Sequence, residues 1–370
     1  MTTEKFSDFS YDKDGFVIEN GVLVKYEWSN ERVEIPEGVV RIGDNAFSEC
    51  RCVETITVPY GVKYIGNSAF AYLDSLKSLV LPDTVIEIGE NAFSFCYELE
   101  SIDLPKGISE IKKETFFGCH NLKELVIPEG VVSIGDGAIQ TCLHMTKLVL
   151  PSSLQTIGCK AFSNQYDLPE ITIPEGVTSI PKFAFFGCEK LESVSLPKSL
   201  TTIEYGAFHG CEKLKNIEIP KGVDKICRAA FEKCCSLEEI KIPDGVSIIE
   251  NEAFMDCTGL KEAILPLSVK EVGNEAFSGC RSLVSAFVSE NVISIGERVF
   301  ADCACLERVT IGATLTSNHK LFKGCVSLRD ITTRSFYNKF RKRPYAKTAN
   351  PVSKRSSFST GTKSISDLTH

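Results

Sequence analysis

No apolar run in this 370-residue chain reaches the length needed to span a bilayer. Its first residues, MTTEKFSDFSYDKDG, hold neither a basic start nor the apolar stretch of an export signal. Asn-x-Ser/Thr sequons are missing, and the ending DLTH is no prenylation box. The histidines, His120, His144, His209, His319 and His370, are scattered. There is no His-Glu-x-x-His helix, no phosphate-binding Gly-Lys-Ser/Thr loop and no Gly-x-Ser-x-Gly elbow. Although 16 cysteines are present, no Cys-x-x-Cys pair stands ready for zinc. The lone tryptophan, Trp28, sits where an opening hairpin would meet the first repeat, a place for packing rather than ligand stacking. These absences predict a cytoplasmic, non-enzymatic protein with no cofactor and no metal site. The alternative location is the cell surface or the exterior, reached by an unrecognised route.

What is present is a period. Prolines fall at 36, 59, 82, 105, 128, 151, 174, 197, 220, 243 and 266, every 23 residues, with Ser289 and Gly312 in the next two slots. An unbroken register of that kind marks an array of stacked supersecondary units. Each unit is too small to bury its own apolar face, so neighbours must cover one another along a continuous core.

Within a repeat the apolar period changes. Val33 and Ile35, Ile56 and Val58, and Leu79 and Leu81 alternate in steps of two before the proline, as a short strand does. After the proline come Val39 and Ile42, or Val62 and Ile65, often followed by a glycine such as Gly43 or Gly66. Next, Phe47, Cys50 and Val53 recur as Phe93, Cys96 and Leu99, a spacing of three that predicts a short helical or 3₁₀ turn. Phenylalanine holds its slot in all repeats but one, where Ile139 stands, which predicts an internal ladder of rings. Ahead of the array, Phe16–Glu19 and Val22–Tyr26 flank Asn20-Gly21, a two-residue hairpin turn signal, so residues 1–32 are expected to form an N-terminal β-hairpin cap.

The unit Leu76-x-x-Leu79-x-Leu81-Pro82-x-x-Val85-x-x-Ile88-Gly89-x-x-Ala92-Phe93-x-x-Cys96 resembles the BspA-like leucine-rich repeats of bacteria and protozoa, over about Val33 to Ile331. The opening GFVIENGVLVKY is similar to the lead-in of bacterial members. The resemblance implies a leucine-rich-repeat solenoid of about 13 repeats over residues 33–331, with one short parallel β-strand per repeat on one face and short helical or 3₁₀ turns opposite. It also implies protein recognition or surface adhesion, and no enzyme.

Eleven cysteines occupy one repeat slot: Cys50, Cys96, Cys119, Cys142, Cys188, Cys211, Cys234, Cys257, Cys280, Cys303 and Cys325. Leu73 and Gln165 divide them into runs of one, three and seven, so pairing between slot neighbours would leave thiols over. Buried, reduced packing thiols are the expectation; a redox or metal-responsive role is the alternative.

Function should sit where the repeat does not dictate the residue. One outward position per strand lines the open face: Thr57, Val80, Asp103, Val126, Val149, Thr172, Ser195, Glu218, Lys241, Ile264, Phe287 and Thr310. Val80, Val126 and Val149 make one apolar zone and Ile264 with Phe287 a second. Exposed apolar neighbours are candidate protein contacts, while β-branched residues also simply suit strands. Phe287 is the leading candidate anchor. Residues 332–370 carry nine Lys/Arg against one Asp, net +8, which leaves −16 for the preceding 331 residues of a chain at −8. This basic, Ser/Thr-rich tail is expected to be disordered. Its run Lys339, Arg341, Lys342 and Arg343, interleaved with aromatics, could approach nucleic acid, an anionic surface or an acidic protein, or fold back on the acidic array. The sequence thus predicts a non-catalytic protein–protein interaction scaffold, with a cell-surface adhesin as the alternative.

Overall fold

The computed structural model describes residues 14–28, 30–48, 50–312, 315 and 320–334. It is a parallel-strand β-solenoid with repeats of about 23 residues, about 13 of them along the chain. The chain divides into two compact units, Met1–Val223 and Asp224–His370.

In the first unit the strands Arg32–Glu34, Thr55–Thr57, Ser78–Val80, Ser101–Ile102, Glu124–Val126 and Lys147–Val149 pair in parallel in that order. The register advances by one repeat per strand: Val33 lies opposite Ile56, Ile56 opposite Leu79, and Leu125 opposite Leu148. Each strand buries its central aliphatic and exposes the residues beside it, so alternation of period two decides which side chain enters the core.

The structure adds a second strand that the sequence pattern did not show. Arg41–Ile42, Tyr64–Ile65 and Glu87–Ile88 form another parallel sheet, each burying its isoleucine. The predicted hairpin forms, with Asn20 and Gly21 both at positive φ. Its strand Val22–Tyr26 pairs with Arg41–Ile42, so the hairpin closes the edge of this second sheet. Tyr26 lies 5.3 Å from Phe47 and 4.9 Å from Phe16, capping the ring ladder. Trp28 packs its indole over Gly15, where any Cβ would lie 2.5 Å from the ring.

The expected helical or 3₁₀ segment is corrected: among the described residues the turns at the phenylalanine slot are not helical, and the lone 3₁₀ residue, Leu315, lies elsewhere in its repeat. A residue of left-handed φ recurs there at one-repeat intervals, among them Asn45, Ser68, Asn91 and Glu114. A second such row includes Tyr72, Phe95, Gly118 and Thr141. Left-handed residues interrupt a right-handed helix. The backbone instead bonds sideways, the Phe47 N–H to the Ala69 carbonyl and the Phe70 N–H to the Ala92 carbonyl. The spacing of three reflects successive tight turns.

The second unit repeats this plan. Lys225–Ile226, Ile248–Ile249, Glu271–Val272 and Ser294–Ile295 form one parallel series, and Glu262–Ile264, Ser285–Phe287, Arg308–Gly312 and Asp330–Arg334 the other. Its core holds the rings Phe231, Phe254, Phe277, Phe300 and Phe322, stacked 5.1–5.9 Å apart.

All 16 cysteines are free. The slot cysteines are buried, and in both units thiols donate to the carbonyl of the preceding repeat's phenylalanine, as Cys96 does to Phe70 and Cys257 to Phe231, both at 3.1 Å, while Cys50 donates to the Tyr26 carbonyl of the hairpin at 3.4 Å. Gln165, in the same slot, sends its amide to the Ile139 carbonyl. Where the slot holds Cys or Gln it adds a buried donor to that carbonyl, whereas Leu73 fills the same slot with an apolar group alone.

Candidate functional site

The strand side of each unit carries exposed apolar groups at positions where the repeat consensus leaves side-chain identity open. In the first unit Val80, Val126 and Val149 are 61%, 54% and 40% exposed. Val126 and Val149 stand directly opposite one another on paired strands. Val80 stands opposite Thr57 and is parted from Val126 by the strand Ser101–Ile102, which Asp103 follows. The three valines are therefore a pair and an outlier.

Charged residues rim the Val126 groove. Asp83, Glu100, Glu124 and Glu129 line it beside Lys106 and Lys123. Lys123 bridges to Glu100 at 3.1 Å and Lys147 to Glu124 at 3.2 Å, each pair one repeat apart. Glu129 accepts from the Ser152 N–H and hydroxyl, which holds its carboxyl below the usual range.

In the second unit Ile264, 56% exposed, stands opposite Phe287, which is half-buried, and Thr310 follows in the same row. A shallow groove beside them is lined by Glu239, Lys241, Asp244, Lys261, Glu262 and Leu267. Lys261 is paired with Glu238, which raises its pKa, and Glu262 accepts from the Ser285 hydroxyl at 3.3 Å. Leu267, 62% exposed, enlarges the apolar floor. Sequence reading missed it. Its signal was available: the position after the proline slot is polar in the neighbouring repeats, as Asp244 and Glu290 show, and Leu267 breaks that rule.

A second constellation that sequence reading missed lies on the turn side of the first unit. Tyr72 stacks on Phe95 at 4.8 Å, Phe95 meets Phe117 edge-on at 5.0 Å, and Tyr97 lies 4.9 Å from His120. Gly118 leaves room for the Phe95 ring, since a Cβ there would come within 2.9 Å of it. The rings pack on one another and on a bare backbone.

His144 Nδ1 lies 3.0 Å from Asp167, which Lys190 also contacts at 2.7 Å, and these partners hold the Asp167 carboxyl below its usual range. Burial lowers the His120 pKa. Among the described residues no cluster of three His, Cys, Asp or Glu could hold a metal, and no helix is long and apolar enough to cross a membrane. The candidate electrostatic residues Lys339, Arg341, Lys342 and Arg343 lie outside the described residues, as does nearly all of the segment 332–370.

Comparisons with known proteins agree with this architecture. The family model described as BspA type leucine-rich repeat region matches residues 23–146, 132–261 and 224–350. A leucine-rich repeat protein from Bacteroides ovatus is 28% identical, with a TM-score of 0.67 over 87% of this chain and 97% of its own. A leucine rich cell surface protein from Faecalibacterium prausnitzii is also 28% identical, with a TM-score of 0.57 over 90% and 93% of the two chains. None of the curated proteins compared with the chain matches it.

Proposed function

Because the chain belongs to the BspA type leucine-rich repeat family, we propose that it is a non-catalytic scaffold that binds a protein through the strand face of its second unit. One observation carries this reading: Ile264 and Phe287 stand in register, with Leu267 beside them, among charged groups at the rim. Apolar anchors inside a polar rim are how protein contacts gain both affinity and exclusion of water. The Val126–Val149 pair is a smaller contact of the same kind.

The test is a pull-down from lysate of the source cells with the intact chain, followed by the same capture with Phe287→Asp and with Val126→Asp. Loss of the captured protein with Phe287→Asp at an unchanged melting temperature supports the reading. Equal capture by that variant overturns the assignment of Phe287.

The interior of the cell is the proposed location, supported by the many buried free thiols, which suit a reducing compartment. A surface adhesin is the second reading, favoured by the Faecalibacterium prausnitzii relative, whose name places it on the cell surface. Protease shaving of intact cells separates them: release of peptides from this chain, without a cytosolic control, would sink the intracellular reading.

A further inference from the structure

The outward row of the second unit's strand face runs Ile264, Phe287, Thr310 and Thr332, each opposite the next on neighbouring parallel strands. Described chain ends at Arg334, two residues beyond Thr332. The described chain thus ends on the edge strand of the row that carries the apolar groove, and after Ser335 the sequence continues Phe336-Tyr337-Asn338-Lys339-Phe340-Arg341-Lys342-Arg343-Pro344-Tyr345.

Three observations bear on where this segment goes. The first is reach: Ile264 is three strands from Thr332, about 14 Å at ordinary strand spacing, and six extended residues cover about 20 Å. The second is charge: Glu239, Asp244 and Glu262 line the groove against Lys241 and Lys261, and Lys261 is already held by Glu238, so carboxylates are in excess there. The third is composition, since Phe336, Tyr337, Phe340 and Tyr345 alternate with the basic residues, matching an apolar floor of Ile264 and Leu267 bounded by carboxylates.

We propose that residues 336–345 dock onto this groove in the same molecule, with Lys339, Arg341, Lys342 and Arg343 against Glu239, Asp244 and Glu262. The contact needs no external partner, and its test is independent of whether one binds there. A partner that uses Phe287 meets a built-in competitor, a consequence that rests on the function proposed above.

Trypsin reads the contact in the intact chain. Cleavage within Lys339–Arg343 is timed by mass spectrometry against cleavage at Lys354 and Arg355, outside the docking segment and present in the same molecule. Docking slows the first relative to the second by about tenfold, the order expected from several surface ion pairs acting together with apolar contact. The variant Glu239→Gln/Asp244→Asn/Glu262→Gln, which adds no trypsin site, removes that protection at an unchanged melting temperature, and so does raising the salt concentration. Equal cleavage of the two sites in the unaltered chain overturns the proposal, as does protection that persists in the variant. Protection that grows with protein concentration also overturns it, because the groove is then filled by a second copy.

Discussion

The Cys119 thiol donates to the Phe93 carbonyl oxygen at 3.1 Å, and the N–H of Cys96 reaches the same oxygen at 3.2 Å. One acceptor thus joins two consecutive repeats. Cysteine suits the slot because it is small, apolar enough to be buried and still carries a donor. Cys119→Ala keeps the volume roughly but removes the donor, and should cost about 1 kcal/mol. A melting temperature lowered by a degree or two, with the far-UV spectrum unchanged, is the expected result.

Alkaline pH should loosen the array through the same residues. Burial pushes the Cys96, Cys142 and Cys188 thiols up from 9.0 to about 12. A group whose folded pKa is raised contributes its stability fully below the unfolded pKa and loses it as pH climbs through the folded one. Between pH 9 and about 12 the unfolded thiols ionise while the folded ones stay neutral, so stability falls across that window. Denaturant midpoints measured at pH 8 and pH 10 should differ more for the unaltered chain than for Cys96→Ala; equal differences would remove the thiol from the account.

Phe254 is fully buried between Phe231, 5.3 Å away, and Phe277, 5.1 Å away. Phe254→Ala removes a ring from the middle of a stack and leaves a cavity that its neighbours cannot close without shifting their own registered strands. The cost should be about 3–5 kcal/mol, read as a large drop in melting temperature or as insoluble expression. Thermal behaviour close to that of the unaltered chain would mean the ladder repacks.

Lys233 is exposed and holds a left-handed φ of 60°, while the equivalent positions in other repeats carry Gly187, Gly210 and Gly279. Lys233→Gly relieves that strain at the expense of a more flexible unfolded chain, for a net gain of up to about 1 kcal/mol. Lys233→Val, which crowds the backbone further, should destabilise. If the two variants melt in the opposite order, backbone strain is not what governs the turn.

The absence of helix in the repeat turns has its own spectral consequence. Far-UV circular dichroism should lack the paired minima of helix and show a strand and turn signature instead. A strong 222 nm minimum from the intact chain would contradict the turn geometry set by Asn45 and its repeat equivalents.

Those turns also mark where sequence reading ran out. Val33, Ile56 and Leu79 alternate with exposed neighbours over enough residues to announce a strand, whereas Arg41–Ile42 is two residues long and has no period to read. The spacing of Phe47, Cys50 and Val53 fits a helix equally well as it fits successive turns. Ile264 and Phe287 were visible as the same slot in successive repeats, because a constant period makes register arithmetic. Leu267 lies outside the strand period that locates Ile264 and Phe287, on the loop that floors the same groove.

The sequence by itself determined the period, the inward residues, the hairpin turn at Asn20-Gly21 and the stacking of one phenylalanine on the next, since each follows from side-chain volume, apolarity or local φ preference repeated at a constant interval. Only the tertiary structure decided that the turns are not helical, that a second sheet runs beside the first and that a thiol serves the carbonyl of the repeat before it. Those features depend on donors and acceptors supplied by the adjacent repeat, and a backbone segment takes the conformation that satisfies them only when that neighbour is in place.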